Sequence, residues 1–264
     1  MSVDLENIRK YISDARLQNY LFVCQNNYPK TLKLYQANMR LSQSFYPLLS
    51  LVEVILRNAL NNELTSYFGD KDWLLNQLNG FMMDKALIYT DRTGQRKENF
   101  FLKYSVEKSM KNLSKPITQG KIIADLNFGF WTTLFNKTHL KILKGIPMRI
   151  FVNLPSGFNR STVYKILDKL REFRNRVYHN EPIIFKMKDD GTVEFNLNKV
   201  ESIYVDIKDF FSWFDLDYRL WAKRIDHVAY EIENAKCVIN YYPGSKYYMK
   251  RLQSDAKHFK QIHS

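Results

Sequence analysis

Apolar side chains recur at helical spacing along much of the chain, and this periodicity is the strongest constraint on the fold. Between residues 27 and 69 one long amphipathic pattern carries six apolar positions and one acid on a single helix side: Leu48, Leu49, Val52, Ile55, Leu56, Ala59 and Glu63. Gly69 follows as a C-terminal cap. Similar spacing from 161 to 179 and from 199 to 240 predicts further helices. The sequence therefore predicts a mostly α fold.

After Pro182, apolar and polar residues alternate along the chain. The segment IIFKMKDDGTVEFNL surrounds Asp190-Gly191, which predicts one small β-hairpin near 183–197. Upstream, the aromatic segment LNFGFWTTLF predicts a core anchor in which Gly129 permits a tight helix entry or close packing. Ser161 follows a loop and is expected to cap the next helix. With no repeat and no low-complexity linker, residues 1–264 are interpreted as a single domain.

Positive charge is the main compositional signal. The net charge of +13 favours a polyanionic partner, either nucleic acid or an anionic membrane surface. A basic insertion at about 92–121 holds eight Lys or Arg against two acids, with Phe100, Phe101 and Tyr104 among them, and a basic arm occupies about 241–264. Such a mixture suits single-stranded nucleic acid, and it equally suits a solvated helix face above core aromatics.

Several classes of site are not expected from the sequence. The chain has no run of about 18 apolar residues, and residues 1–18 lack an apolar signal core, so we expect a cytoplasmic protein without a membrane partner. Cys24 and Cys237 match no metal spacing, and the five histidines form no ligand pattern, so neither a metal nor a cofactor is predicted. His139 is expected at the surface or at a helix cap.

The helix at 161–179 contains an arginine where apolar residues are expected. With Arg174 at zero on a helical wheel, Leu167 lies at about +20° and Leu170 at about −40°, so the guanidinium falls within the buried stripe. Burying it without a partner costs several kcal/mol. Either Arg174 pairs with an acid such as Glu53, or the stripe faces a cleft there. Asn175 and His179 lie on a shared flank, at about 100° and 140°.

Three segments, in order, resemble the Abi-like (abortive infection) family of the HEPN ribonuclease superfamily over roughly residues 35 to 220. They are LLSLVEVILRNALNNEL, LNFGFWTTLF and LREFRNRVYHNEPI. The last carries the pattern Arg-Asn-x-x-x-His, which is similar to the RxxxxH motif of that superfamily. The resemblance implies an HEPN-like helical bundle with additional helices.

What the resemblance implies for function is a metal-independent endoribonuclease acting in phage defence, usually as a homodimer with two motifs facing one groove. Arg174, Asn175 and His179 would be catalytic: His179 as general acid or base, Arg174 holding phosphate, and Asn175 orienting the histidine or the scissile phosphate. Glu53 and Arg57 would support the motif, although their i,i+4 spacing also fits a plain helix salt bridge. Arg171, Arg176, Lys103, Lys108 and Lys111 are candidate RNA-binding residues.

A second reading of the same residues is a non-catalytic module that binds RNA or a protein partner. It would use the basic region and the C-terminal arm, and relatives of this kind are held in check by an antitoxin or a regulatory RNA. Binding with a steep salt dependence but without cleavage would favour it.

Overall fold

The computed structural model describes residues 5–217 and 222–240. The chain divides into two compact units. The first comprises Met1–Leu48, Asn175–Tyr204 and Arg224–Ser264, and the second comprises Leu49–Arg174 and Val205–Lys223. The single-domain interpretation stays a prediction, and the predicted basic arm at 241–264 lies outside the described residues.

The described part of the chain is mostly helical, as predicted. Its eleven α-helices are α1 (Leu5–Ile12), α2 (Asp14–Val23), α3 (Tyr28–Phe68), α4 (Trp73–Asn76), α5 (Phe101–Asn112), α6 (Gln119–Asp125), α7 (Phe128–Thr133), α8 (Lys137–Ile142), α9 (Arg160–Tyr178), α10 (Leu197–Ser212) and α11 (Val228–Asn240). Helices α3, α9 and α10 contribute residues to both units. Within the 199–240 region, α10 ends at Ser212 and α11 begins at Val228.

In residues 5–217 and 222–240 two antiparallel hairpins accompany the helices, where the sequence predicted one. The predicted hairpin consists of β3 (Phe185–Met187) and β4 (Val193–Phe195), with Phe185 opposite Phe195. Asp190 accepts hydrogen bonds from the backbone and hydroxyl of Thr192, which closes the turn. The unpredicted hairpin pairs the first two strands, Ile88–Thr90 with Arg96–Glu98. Three-residue strands with largely exposed side chains leave little hydrophobic alternation to detect.

Aromatic side chains form the core of the first unit. Tyr20 of α2 is buried, and its ring meets those of Tyr35 and Phe185 edge-on, at centroid distances of 5.2 and 5.1 Å. Phe45 meets Tyr204 edge-on at 6.4 Å. Edge-to-face contacts of this kind favour one packing arrangement of α2, α3 and the β3–β4 hairpin.

The predicted aromatic anchor lies in the core of the second unit. Its large side chains are almost wholly buried: Phe128, Phe130, Trp131, Leu134 and Phe135. Asn127 caps α7 by accepting a hydrogen bond from the Phe130 amide, at 3.1 Å. A Cβ at Gly129 would lie 3.0 Å from the Asn127 Oδ1 atom, so Gly129 permits this tight helix start, as expected.

The caps of α3 and α9 and the buried face of α3 agree in part with the predictions from the sequence. Gly69 follows α3 with φ +62°, which confirms the predicted cap. Asn159, rather than Ser161, caps α9, because its Oδ1 accepts from the amides of Ser161 and Thr162. The buried stripe of α3 continues through Leu60 and Leu64, whereas Ala59 is half-buried. Asn is as good an N-cap as Ser, so composition alone could not choose between them.

Candidate functional site

The boundary between the two compact units falls in α9, between Arg174 and Asn175, so the two parts of the candidate motif are described separately. In the second unit, Arg174 forms an ion pair with Glu53, with 3.1 Å between Nη2 and Oε2. The side chains are 22% and 14% exposed. The acid partner considered from the helical wheel is therefore present, and Glu53 is that partner.

Arg57, the other supporting residue, does not share this pair. Among the residues that the structure describes, no ion pair within 4.0 Å joins Glu53 to Arg57, so the i,i+4 salt bridge considered from the sequence is absent. The Nε–H group of Arg57 is buried and donates no hydrogen bond within the described chain. The structure thus brings Glu53 to Arg174 and leaves Arg57 outside the contact.

In the first unit, α9 ends in a hydrogen-bonded turn that carries His179. The Glu181 amide donates to the Arg176 carbonyl at 2.9 Å, and the Asn180 amide donates to the Val177 carbonyl at 3.1 Å. Asn180 has φ +53°, so this is a Schellman motif with Asn in the left-handed position. His179 occupies the C-cap position, and its side chain is exposed. Asn175, one turn earlier, accepts the His179 amide through its carbonyl, at 2.9 Å.

Asn38 of α3 fixes the segment that follows this turn. Its side-chain amide donates to the Glu181 carbonyl at 3.3 Å and accepts from the Ile183 amide at 2.7 Å. Asn38 is almost fully buried, and it satisfies two backbone groups on either side of Pro182. Sequence analysis missed this residue because its partners lie more than 140 positions away.

A stacked pair of tyrosines lies beside the end of α9. The rings of Tyr46 and Tyr178 are 4.5 Å apart and nearly parallel, at 13°. Tyr46 remains 51% exposed. Tyr178 immediately precedes His179, so an exposed aromatic surface adjoins the imidazole-bearing turn. No local signal in the sequence joins Tyr46 to Tyr178.

The two arginines predicted to bind RNA from α9 already have partners. Arg171 contacts Asp168 at 2.6 Å. Arg176 lies 3.5 Å from Glu181 and donates a further hydrogen bond to the Pro182 carbonyl. Both therefore stabilise α9 and its terminal turn. Their guanidinium groups are only partly available to a ligand.

The three candidate lysines lie on α5 and differ in environment. The Lys103 ammonium donates to Asn79 and Met83, and it lies 3.8 Å from Glu107. Lys108 and Lys111 are exposed. Within the described ranges no hydrogen bond or ion pair engages either ammonium group, so these two can meet a phosphate without losing an existing contact.

His139 is buried, contrary to the expectation of a surface or capping role. Its side chain is fully inaccessible, and neither ring nitrogen has a hydrogen-bond partner in the described structure. Burial lowers the pKa of the imidazole to about 4. Helical spacing is the sequence signal that could have predicted this burial. Phe135, Leu143 and Ile146 continue a spacing of four, four and three residues through His139, and all three are buried.

Three further observations bear on the class of site. In residues 5–217 and 222–240, no group of three or more His, Cys, Asp or Glu residues is placed to hold a metal ion. Over the same residues, no helix has the length and apolarity needed to cross a membrane. Cys24 and Cys237 are both free thiols.

The chain was compared with protein-family models, with curated proteins and with solved structures, and none of the three comparisons found a match.

Proposed function

We propose that the chain is a metal-independent endoribonuclease. The observation that carries the proposal is the position of His179. Its imidazole is exposed and lies on a hydrogen-bonded C-cap, with Asn175 one turn before it. A general acid or base needs access to substrate and a defined position, and this turn supplies both. The sequence resemblance adds the expected order of Arg174, Asn175 and His179.

The proposed reaction needs no co-reactant. The 2′-oxygen of RNA attacks the adjacent phosphorus as its hydroxyl loses a proton, and the 5′-oxygen leaves as it gains one. The products are a 2′,3′-cyclic phosphate and a 5′-hydroxyl. An imidazole can accept a proton or donate one, so His179 can serve either proton transfer. DNA lacks the 2′-hydroxyl and is spared.

Arg174 retains its expected role within this proposal. Its contact with Glu53 joins Nη2 to Oε2. Glu53 would hold the side chain in one orientation, and the guanidinium would bind phosphate oxygen, whose geometry its planar fork matches. Arg57 and the α9 arginines would contribute positive potential rather than direct contacts.

The test is cleavage of single-stranded RNA by purified protein in the presence of EDTA. We expect His179→Ala to lower the rate by about 100-fold or more, the usual loss for a general acid or base. His227→Ala is the matched control, because His227 is also exposed and belongs to the same compact unit. Products should end in 2′,3′-cyclic phosphate. Equal rates for wild type and His179→Ala would refute the proposal.

A non-catalytic RNA- or partner-binding module is the second candidate, and the Glu53–Arg174 pair favours it. A half-buried arginine with an acid partner needs no ligand to be stable. The same preparations separate the candidates: binding of RNA with a steep salt dependence, and no cyclic-phosphate ends, would support the module. Loss of protection against phage in cells carrying His179→Ala would support the nuclease and its proposed role in defence.

A further inference from the structure

The exposed face of α5 has an ordered arrangement of aromatic and basic side chains. Phe101, Tyr104, Lys108 and Lys111 are all exposed and follow one another at helical spacing. On a helical wheel they fall within about 80° of one another. The opposite side of α5 is buried, through Leu102, Val106 and Ser109.

The aromatic end of this stripe is fixed and accessible. Tyr104 is 55% exposed, and its ring meets the edge of the buried Phe100 at 6.3 Å. Phe101 is 41% exposed. Exposed ring faces on a rigid element provide stacking surfaces for bases. Single exposed aromatics are common, but two on one turn of the same face are a concentrated apolar feature.

The basic end has charge that the protein itself does not neutralise. In the part of the chain that the structure describes, the ammonium groups of Lys108 and Lys111 make no hydrogen bond or ion pair, whereas Lys103 and Lys121 are both engaged. The one acid on α5, Glu107, lies off the stripe and contacts Lys103. The stripe therefore has a net positive charge.

We propose that Phe101, Tyr104, Lys108 and Lys111 form a binding surface for single-stranded RNA. Bases would stack on the two rings, and phosphates would contact the two lysines. The eleven residues from Phe101 to Lys111 span about 15 Å, which at the 3.4 Å spacing of stacked nucleotides covers about four nucleotides. The surface takes the same class of ligand as the proposed nuclease but does not depend on cleavage.

Single-stranded nucleic acid fits this surface better than an anionic membrane. Membrane-surface helices need a broad apolar face, whereas the stripe has two aromatics followed by two lysines on a helix whose apolar face is already buried. A double-stranded RNA would hide its base faces, so the two rings would have nothing to stack on.

The test measures binding of an oligo(A) probe of about 20 nucleotides with 2′-O-methyl groups, which block 2′-hydroxyl attack. We expect the double variant Lys108→Ala/Lys111→Ala to reduce the slope of log K against log salt by about 1.4, the value for two lost single-strand phosphate contacts. The control is Lys137→Ala/Lys141→Ala, which removes two exposed lysines from α8 in the same unit. It should leave the slope unchanged. Equal effects of the two double variants would overturn the proposal.

The aromatic contribution is tested separately. We expect Phe101→Ala and Tyr104→Ala each to weaken probe binding by about fivefold or more at constant salt, as stacking losses usually do. Phe195→Ala removes an exposed ring from the other unit and should have no effect. Two outcomes would overturn the proposal. One is unchanged binding of the probe by both ring variants. The other is that the stripe binds anionic vesicles or duplex RNA instead of the probe. Cleavage can fail while this binding persists, so the two proposals are tested independently.

Discussion

The partner of Arg174 shows what a helical wheel can and cannot decide. The wheel places the guanidinium in the buried stripe and requires either an acid or a cleft. Two arginines were candidate ion-pair partners of Glu53: Arg57 on the same helix and Arg174 on another. An i,i+4 pair on a helix surface is worth only a few tenths of a kcal/mol. An arginine that is 22% exposed gains more from the acid, because burial without a partner is costly.

His139 makes the stability of the folded chain dependent on pH. Burial lowers the pKa of its imidazole from 6.5 to about 4. As the pH falls below 6.5 the unfolded chain binds a proton, whereas the folded chain stays neutral until about pH 4. The free energy of unfolding therefore decreases across this window, by about 3 kcal/mol at its lower end. We expect His139→Phe to remove this loss in urea denaturation at pH 7 and pH 4.5.

The control for this prediction is His227→Phe, because His227 is exposed. It should show the same decrease in the free energy of unfolding between the two pH values as wild type. His139→Phe should also be at least as stable as wild type at pH 7, because it removes two buried nitrogens that lack partners. A decrease with pH as steep as that of wild type would contradict the assignment to His139.

At the scale of elements, the sequence predicts what depends on neighbours along the chain. The α9 helix, the β3–β4 hairpin and the Gly69 cap follow from local spacing and turn residues, and all three are present. To predict the cap at Asn180, one would have to know that the chain turns at Asn180 rather than at Pro182. The first hairpin, with two three-residue strands, lacked an alternating pattern. The contacts of Asn38 with Glu181 and Ile183, and the stacking of Tyr46 on Tyr178, had no local signal.

Asn38 is the clearest case of such a distant contact, and it permits a prediction for the turn that carries His179. We expect Asn38→Ala to lower the free energy of unfolding by about 1–3 kcal/mol, because the Glu181 carbonyl and the buried Ile183 amide both lose their partner. Asn38→Asp should cost at least as much, since it keeps the acceptor for Ile183 but places a buried carboxylate oxygen against the Glu181 carbonyl. Denaturant midpoints would measure both, and an Asn38→Ala variant as stable as wild type would contradict this role.

For the whole chain, the sequence predicts the helical class well and the candidate site only in part. Helical spacing recurs over most of the length, so the class follows from many independent segments. Charge predicts a polyanion, but the structure is needed to separate the engaged Lys103 from the available Lys108 and Lys111. The chain's division into two compact units, whose boundary falls inside α3, α9 and α10, has no counterpart in composition.

The homodimer that the sequence resemblance implies fits the chemistry of the proposed reaction. One group must take the 2′-hydroxyl proton and another must protonate the 5′-oxygen, and a symmetric dimer would supply two copies of His179. Wild type allowed to exchange subunits with a ninefold excess of His179→Ala should lose about tenfold in activity, because few wild-type chains then find a wild-type partner. A ninefold excess of His227→Ala, assayed alongside, should not reduce the total. Activity proportional to wild-type chain alone would mean that each copy cleaves RNA without its neighbour.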